Sequence, residues 1–273
     1  MKTIQNRDVL QRAAVSMAVC AVWLAAVPAV PSTFPVLNTQ DAGENSLRWA
    51  IEQANTNAGP DEVTFAIPRT DPGFNGTVWT IKPLSPLPVL SDGGTTVDGL
   101  YQTAIDDANP DGPEIFIDGR NAGASASGLT VQSADNTVSG LTISGFDISG
   151  IQILSENSDR NRVSGCYLGT DPAGETAIPN RVGVLIGNDA DENTIGVMSG
   201  SFINKNVISG NSQYGVEIYG ARDNSVFFNF IGTDRSGTSG LGNGWCGVWI
   251  SGGSRNNTVG SGSPCSNVIS GNG

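Results

Sequence analysis

The sequence predicts an all-β fold: a right-handed parallel β-helix with three short strands per turn, covered at its N-terminal end by an amphipathic helix. Three observations carry this. An Asn-x-Val/Ile element recurs at Asn136, Asn161, Asn193, Asn224 and Asn257, at steps of 25, 32, 31 and 33 residues. Each recurrence opens a unit of three β-type segments, most of them bounded by Gly or Asn. Gly, at 36 of 273 residues, is about twice its usual share, and a hydrophobic content of 38% is too high for a disordered chain. Strands of about four residues cannot bury a face alone. Coiled about an axis, each pairs with its equivalent in the next turn, and three sheets enclose one core.

The elements follow in chain order. Lys2, Arg7 and Arg12 precede an apolar run over 13–30 that exits through Val27-Pro28-Ala29, the pattern of a secretory signal peptide over 1–30. The run is too short for a spanning helix, so no transmembrane span is expected in the mature chain. Cys20 lies inside that run and does not read as a lipidation site. Residues 31–94 read as a cap with the first irregular turns. Within it Leu47, Ala50, Ile51 and Ala54 fall at i, i+3, i+4 and i+7, which predicts a helix over about 46–55 stopped by Asn57, Gly59 and Pro60. Irregular strands are expected at 63–67 and 77–81.

Residues 95–273 form the repeats. The second segment of each unit reads Leu141-Thr-Ile, Cys166-Tyr-Leu, Asn206-Val-Ile, Asn229-Phe-Ile and Asn267-Val-Ile. The third reads Gly150-Ile-Gln-Ile, Gly183-Val-Leu-Ile, Gly215-Val-Glu-Ile and Gly247-Val-Trp-Ile. A looser unit precedes them at Thr95, Glu114 and Gly128. Insertions follow the second segment in alternate units, at Gly169-Thr-Asp-Pro and Gly232-Thr-Asp-Arg, and precede it in the others, at 198–205 and 261–266. Asp171 and Asp234 read as turn caps in the first kind. Strand alternation points Ile151/Ile153, Val184/Ile186, Val216/Ile218 and Val248/Ile250 inward and leaves Gln152, Leu185, Glu217 and Trp249 as an outward column. The Asn136, Asn161, Asn193, Asn224 and Asn257 column shares the inward side, as does a second column of Cys166, Asn206, Asn229 and Asn267. Buried amides at a bend must be bonded, so both columns are expected to stack as structural ladders. The chain stops inside its fifth unit, which predicts further sequence beyond Gly273.

Composition excludes several functions. With no His there is no imidazole-based triad, no His zinc site and no imidazole shuttle. A formal net charge of −12 and only three Lys argue against nucleic acid as a partner. Without Cys20 the Cys count is odd. Cys246 and Cys265 are either a disulfide of an oxidising compartment or two unpaired small hydrophobes.

The segment Phe34-Pro-Val-Leu-Asn-Thr-Gln-Asp-Ala-Gly-Glu-Asn-Ser-Leu-Arg-Trp-Ala-Ile resembles the amino-terminal part of bacterial secreted β-helix repeat proteins of the CSLREA type, with Asn45 where that name has Cys and Trp49 where it has Glu. Asn206-Val-Ile-Ser-Gly-Asn and Asn229-Phe-Ile-Gly-Thr-Asp are similar to that family's repeats, and the resemblance spans about residues 34–273. It implies a pectate-lyase-like solenoid placed outside the cell or on its surface. It implies little about activity, because the wider group includes lyases, hydrolases, adhesins and inert stalks. Hydrolases of that group carry a Gly-His-Gly element, which this chain lacks.

Two clusters are candidate sites. Asp159, Asp191 and Asp223 recur every 32 residues beside Arg160, Arg222 and Arg255 and would lie on one edge, either as a Ca²⁺ or uronate site or as a solvated corner of alternating charge. Tyr214, Glu217, Tyr219, Trp245 and Trp249 share the outward face of the third sheet, where flat rings beside a carboxylate suit sugar stacking; the plainer reading is that they suit strands and cover loops. The expectation is a secreted or cell-surface scaffold that binds extracellular polysaccharide or a neighbouring cell surface without catalysis. A Ca²⁺-dependent polysaccharide lyase and a passive stalk are the alternatives.

Overall fold

The computed structural model describes residues 31–197, 205–260 and 266–273. The expected leader over 1–30, most of the insertions at 198–205 and 261–266, and Cys265 with its expected pairing lie outside these residues.

The described chain is mostly β, and its strands form three parallel sheets. The first has eight strands, Ser32–Val36, Asp61–Phe65, Thr96–Asp98, Thr137–Ser139, Arg162–Ser164, Thr194–Gly196, Ser225–Phe227 and Thr258–Val259. The second has seven, Trp79–Ile81, Ile115–Asp118, Leu141–Ser144, Tyr167–Leu168, Val207–Ile208, Phe230–Ile231 and Val268–Ile269. The third has five, Leu129–Val131, Ser149–Leu154, Val182–Gly187, Tyr214–Tyr219 and Cys246–Ser251. From Thr137 onward the chain visits the sheets in rotation, so each strand pairs with its equivalents in the neighbouring repeats.

Register stacks like on like. Val97, Val138, Val163, Ile195 and Val226 form one column, and Ile117, Ile143, Leu168, Ile208 and Ile231 another, all buried. Ile151, Val184 and Val216 form a third beside Ile153, Ile186 and Ile218. These side chains join one apolar cluster that runs back to Val36 and Phe65. Burial at roughly 1.5–3 kcal/mol per side chain makes that cluster the main favourable term.

The first helix, α1, spans Leu47–Thr56. Ser46 caps it, its Oγ accepting from the Trp49 N–H at 3.2 Å. Leu47, Ala50, Ile51 and Ala54 are fully buried against the first two strands of the first sheet. Two elements had no periodic signal. Strand Ser32–Val36 joins the sheet through its pairing with Asp61–Phe65. A six-residue helix, α2, spans Leu100–Ile105 and is fixed by a buried amide: Gln102 Oε1 accepts from Ile67 N–H at 2.9 Å.

At the bends between sheets, Asn side chains take over from the strands. The Asn136 N–H donates to Asn161 Oδ1 at 2.8 Å, Asn161 to Asn193 at 2.8 Å, Asn193 to Asn224 at 2.8 Å and Asn224 to Asn257 at 2.9 Å. In the second column Asn206 Nδ2 donates to Asn229 Oδ1 at 2.8 Å, and Asn229 to Asn267 at 3.0 Å. Cys166 fills the first place there. Its Sγ lies 3.9 Å from Val138 O, the place where Asn206 Nδ2 meets Val163 O at 3.0 Å one repeat later. Burial pushes the Cys166 thiol up to about 12, so it is an inert filler of that column. A third ladder, Asn180, Asn211, Asn243 and Asn272, guards the remaining bend, with Nδ2-to-Oδ1 distances of 3.2, 2.8 and 2.8 Å. Asn161 and Asn193 keep a buried Nδ2 without a partner, the weak points of the first ladder.

Each third-sheet strand also needs a glycine for room. A Cβ on Gly183 would lie 2.4 Å from Ile208 Cγ2 and 2.6 Å from Gly215 O, and one on Gly215 would lie 2.5 Å from Gly247 O. Asn211→Ala, which orphans partners in two repeats, should therefore cost about 2 kcal/mol or more in urea unfolding, against less than about 0.5 for Asn157→Ala on the surface. Gly183→Ala should cost on the order of 1–3 kcal/mol through overpacking.

Candidate functional site

The three carboxylates expected on one edge do not converge. The repeat step from Asn193 to Asn224 is 31 residues, so a 32-residue count slips by one. Asp159 and Asp191 share a position two residues before the ladder Asn, but Arg222 and Arg255 hold that position in the next repeats, bridged to each other in parallel. Asp223 belongs to the neighbouring column of Asp135, Arg160, Glu192, Asp223 and Asn256. All five of these residues are left-handed, with φ between 56° and 63°.

The acids at this edge are also engaged. Asp159 Oδ1 accepts from the Asp191 N–H at 2.8 Å. Asp191 accepts from the Arg222 N–H at 2.8 Å through one oxygen and from Arg222 Nε at 2.6 Å through the other. Arg160 clasps Asp135 with two bonds of 2.8 Å and holds its carboxyl below the usual value. No group of three or more metal-ligating side chains is assembled among the described residues. The expected Ca²⁺ site at Asp159, Asp191 and Asp223 is corrected to a corner of interlocked charges.

The aromatic residues behave differently. Tyr214 and Trp249 stack face to face, with centroids 4.6 Å apart and planes at 18°, and Trp245 meets Tyr214 edge-on at 5.3 Å and 82°. Tyr214 has the same parity as the buried Val216 and Ile218, yet lies outside the apolar cluster. The reason is Gly215: its missing Cβ points at Ile231, so two successive residues face inward and Tyr214 is thrown onto the outer face. Trp245 is 52% exposed and Trp249 37%, whereas Tyr214 forms the buried floor.

Glu217 is in register with Leu185 and Trp249. Its Oε2 is buried and has no hydrogen-bond partner. Burial raises its pKa against the pull of Arg181, whose Nη1 donates to Gln213 Oε1 at 3.3 Å. Tyr219 does not join the group. It is exposed at the far end of the same strand, roughly 16 Å from Tyr214 at strand rise. Cys246 carries a free thiol one repeat from Tyr214.

A second feature carried no sequence signal. Three loops stack over the second sheet. Asn109 Nδ2 donates to Pro172 O at 3.0 Å, the Arg235 N–H donates to Gly174 O at 3.0 Å, and Arg235 also pairs with Asp111 at 2.7 Å. Asp171 and Asp234 cap these turns: Asp171 accepts the Thr176 N–H at 3.0 Å and Asp234 the Ser239 N–H at 3.1 Å. Beneath the stack lies a cleft of about 280 Å³ whose walls include Thr103, Asp107, Tyr167 and Lys205. The Lys205 ammonium lies 4.2 and 4.0 Å from the ring centroids of Phe228 and Phe230. Behind the wall sits Glu114, fully buried, bonded by the Thr103 hydroxyl at one oxygen and orphaned at the other.

Burial pushes the Glu114 carboxyl from 4.5 to about 7, with the Thr103 bond opposing. Below the ordinary carboxyl range, folded and unfolded chains both hold this proton and stability is full. As pH rises to about 7 only the folded chain keeps it, so stability is lost over that window, on the order of 2 kcal/mol. Wild-type protein should therefore lose stability between about pH 5 and pH 8 relative to Glu114→Gln, measured by paired urea titrations. No family model, no curated protein and no solved structure matches this chain.

Proposed function

We propose that this chain is a secreted or surface-displayed right-handed parallel β-helix whose third sheet binds extracellular polysaccharide without catalysis. The coil is supported by the rotation of strands through three parallel sheets and by amide ladders at the bends. The apolar leader pattern over 1–30 and the resemblance of the segment from Phe34 to CSLREA-type proteins support placement outside the cell. No helix among the described residues is long and apolar enough to cross a membrane.

One observation carries the binding reading. Trp245 and Trp249 stand half out of the surface, fixed by the Tyr214 ring beneath, beside a carboxylate with an open acceptor. Rings held in this way offer apolar faces at little entropic cost, and the C–H faces of sugar rings stack on such surfaces. A lyase reading would need Asp and Arg converging on a substrate; here Asp135 with Arg160 and Asp191 with Arg222 are spent on each other.

In affinity electrophoresis through gels containing soluble plant and microbial polysaccharides, wild-type protein should be retarded by at least one polymer. Trp249→Ala and Trp245→Ala should each weaken that retardation about ten-fold, an energy of ~1.4 kcal/mol. Tyr219→Ala should leave it unchanged. Retention surviving the double Trp variant would remove the site, and unsaturated product from a uronate polymer would overturn the non-catalytic reading.

A further inference from the structure

The platform carries its own selectivity. Glu217 lies on the outer column against the Trp249 strand, and its buried Oε2 has lone pairs with no donor. A carboxylate only accepts, so whatever sits over the rings must bring a donor to that oxygen or leave it unsatisfied. Sugar hydroxyls bring donors. A uronate carboxylate at neutral pH brings more acceptors and a like charge.

The charged groups facing Glu217 do not reverse this. Arg181, from the preceding strand side, already donates to Gln213 and attracts Glu217 itself. On its own strand the neighbour is the Tyr214 phenol, and from the following strand the Cys246 thiol acts on that same phenol. Burial already works against the charge on Glu217, so a second negative charge beside it is costlier still. The chain as a whole carries −12 and repels polyanions at longer range.

We propose that the Tyr214–Trp245–Trp249 platform selects uncharged glycan chains over polyuronates, and that Glu217 is the residue that sets this choice. The proposal rests on the binding reading given above. In it the exposed indoles stack on sugar faces while a hydroxyl of the adjoining sugar donates to Glu217 Oε2. Glu217 is then a specificity residue, not a packing one, and its removal changes which glycan binds more than whether the protein folds.

The test is titration calorimetry on the full chain at neutral pH with EDTA present, so that no cation bridges carboxylates. The probes are neutral gluco-, xylo- and manno-oligosaccharides set against oligogalacturonate and oligoguluronate. Wild-type protein should bind at least one neutral probe and hold the uronates at least ten-fold more weakly. Glu217→Gln, an isosteric change whose folding is checked by thermal melting, should narrow that ratio about ten-fold, mostly by gaining uronate binding. Uronates bound as tightly as neutral probes by the wild type would overturn the selectivity while leaving the platform standing. So would a ratio unchanged in Glu217→Gln. Binding to no probe in either class would overturn both the platform and the selectivity built on it.

Discussion

Hydrogen bonding at the bends is the constraint on which the rest depends. Short parallel strands satisfy their backbones only through the neighbouring repeats, and the corners between sheets are buried places where that ladder lapses. Three columns of Asn close the gap. Each amide accepts from one repeat, and most donate to a backbone carbonyl or to the next amide. Asn211 accepts from Asn180 and donates to Leu168 O and to Asn243. Hydrophobic columns could slide past one another by a residue with modest penalty. An amide column cannot, because a slip orphans several buried groups at once. The ladders thus fix register, and register places the apolar columns.

The candidate site grows from the same constraint. With repeats locked in phase, the Gly215 position comes so close to Gly247 O and Ile231 that only glycine fits, and the backbone there turns two successive residues inward. Tyr214 is displaced to the outer face as a consequence. Trp249, three strand positions further along and one repeat later, leans back onto it. A binding surface thus arises from a packing requirement of the core, and each of its rings sits on a backbone that the ladders hold still.

Much of the fold was legible because repetition amplifies weak signals. Four-residue segments that mean little singly become strands when five of them align, and the inward Val/Ile columns and the helix at Leu47 follow from spacing. The third ladder was also written in the sequence, in Gly210-Asn211, Gly242-Asn243 and Gly271-Asn272, but alignment on Asn-x-Val drew attention away from it. Asp223 was misplaced for a related reason: a constant step was assumed where the chain shortens by one residue. Glu114 and the cleft before it had no periodic context. Their character comes from loops that meet across more than sixty residues, as Asn109 meets Pro172. Nor does periodicity separate Tyr219 from the aromatic group, since the kink at Gly215 is a steric event.

The left-handed column of Asp135, Arg160, Glu192, Asp223 and Asn256 holds one further meaning. An acid, a base and an amide occupy the same backbone conformation there, one that L-residues ordinarily avoid. Their shape is dictated by the amides that follow them, so the side chains are spared any part in maintaining it. Such an edge behaves like a line of interchangeable type set in a rigid frame. Inherited change can respell its charges letter by letter, altering what the surface says to its surroundings without disturbing the molecule beneath.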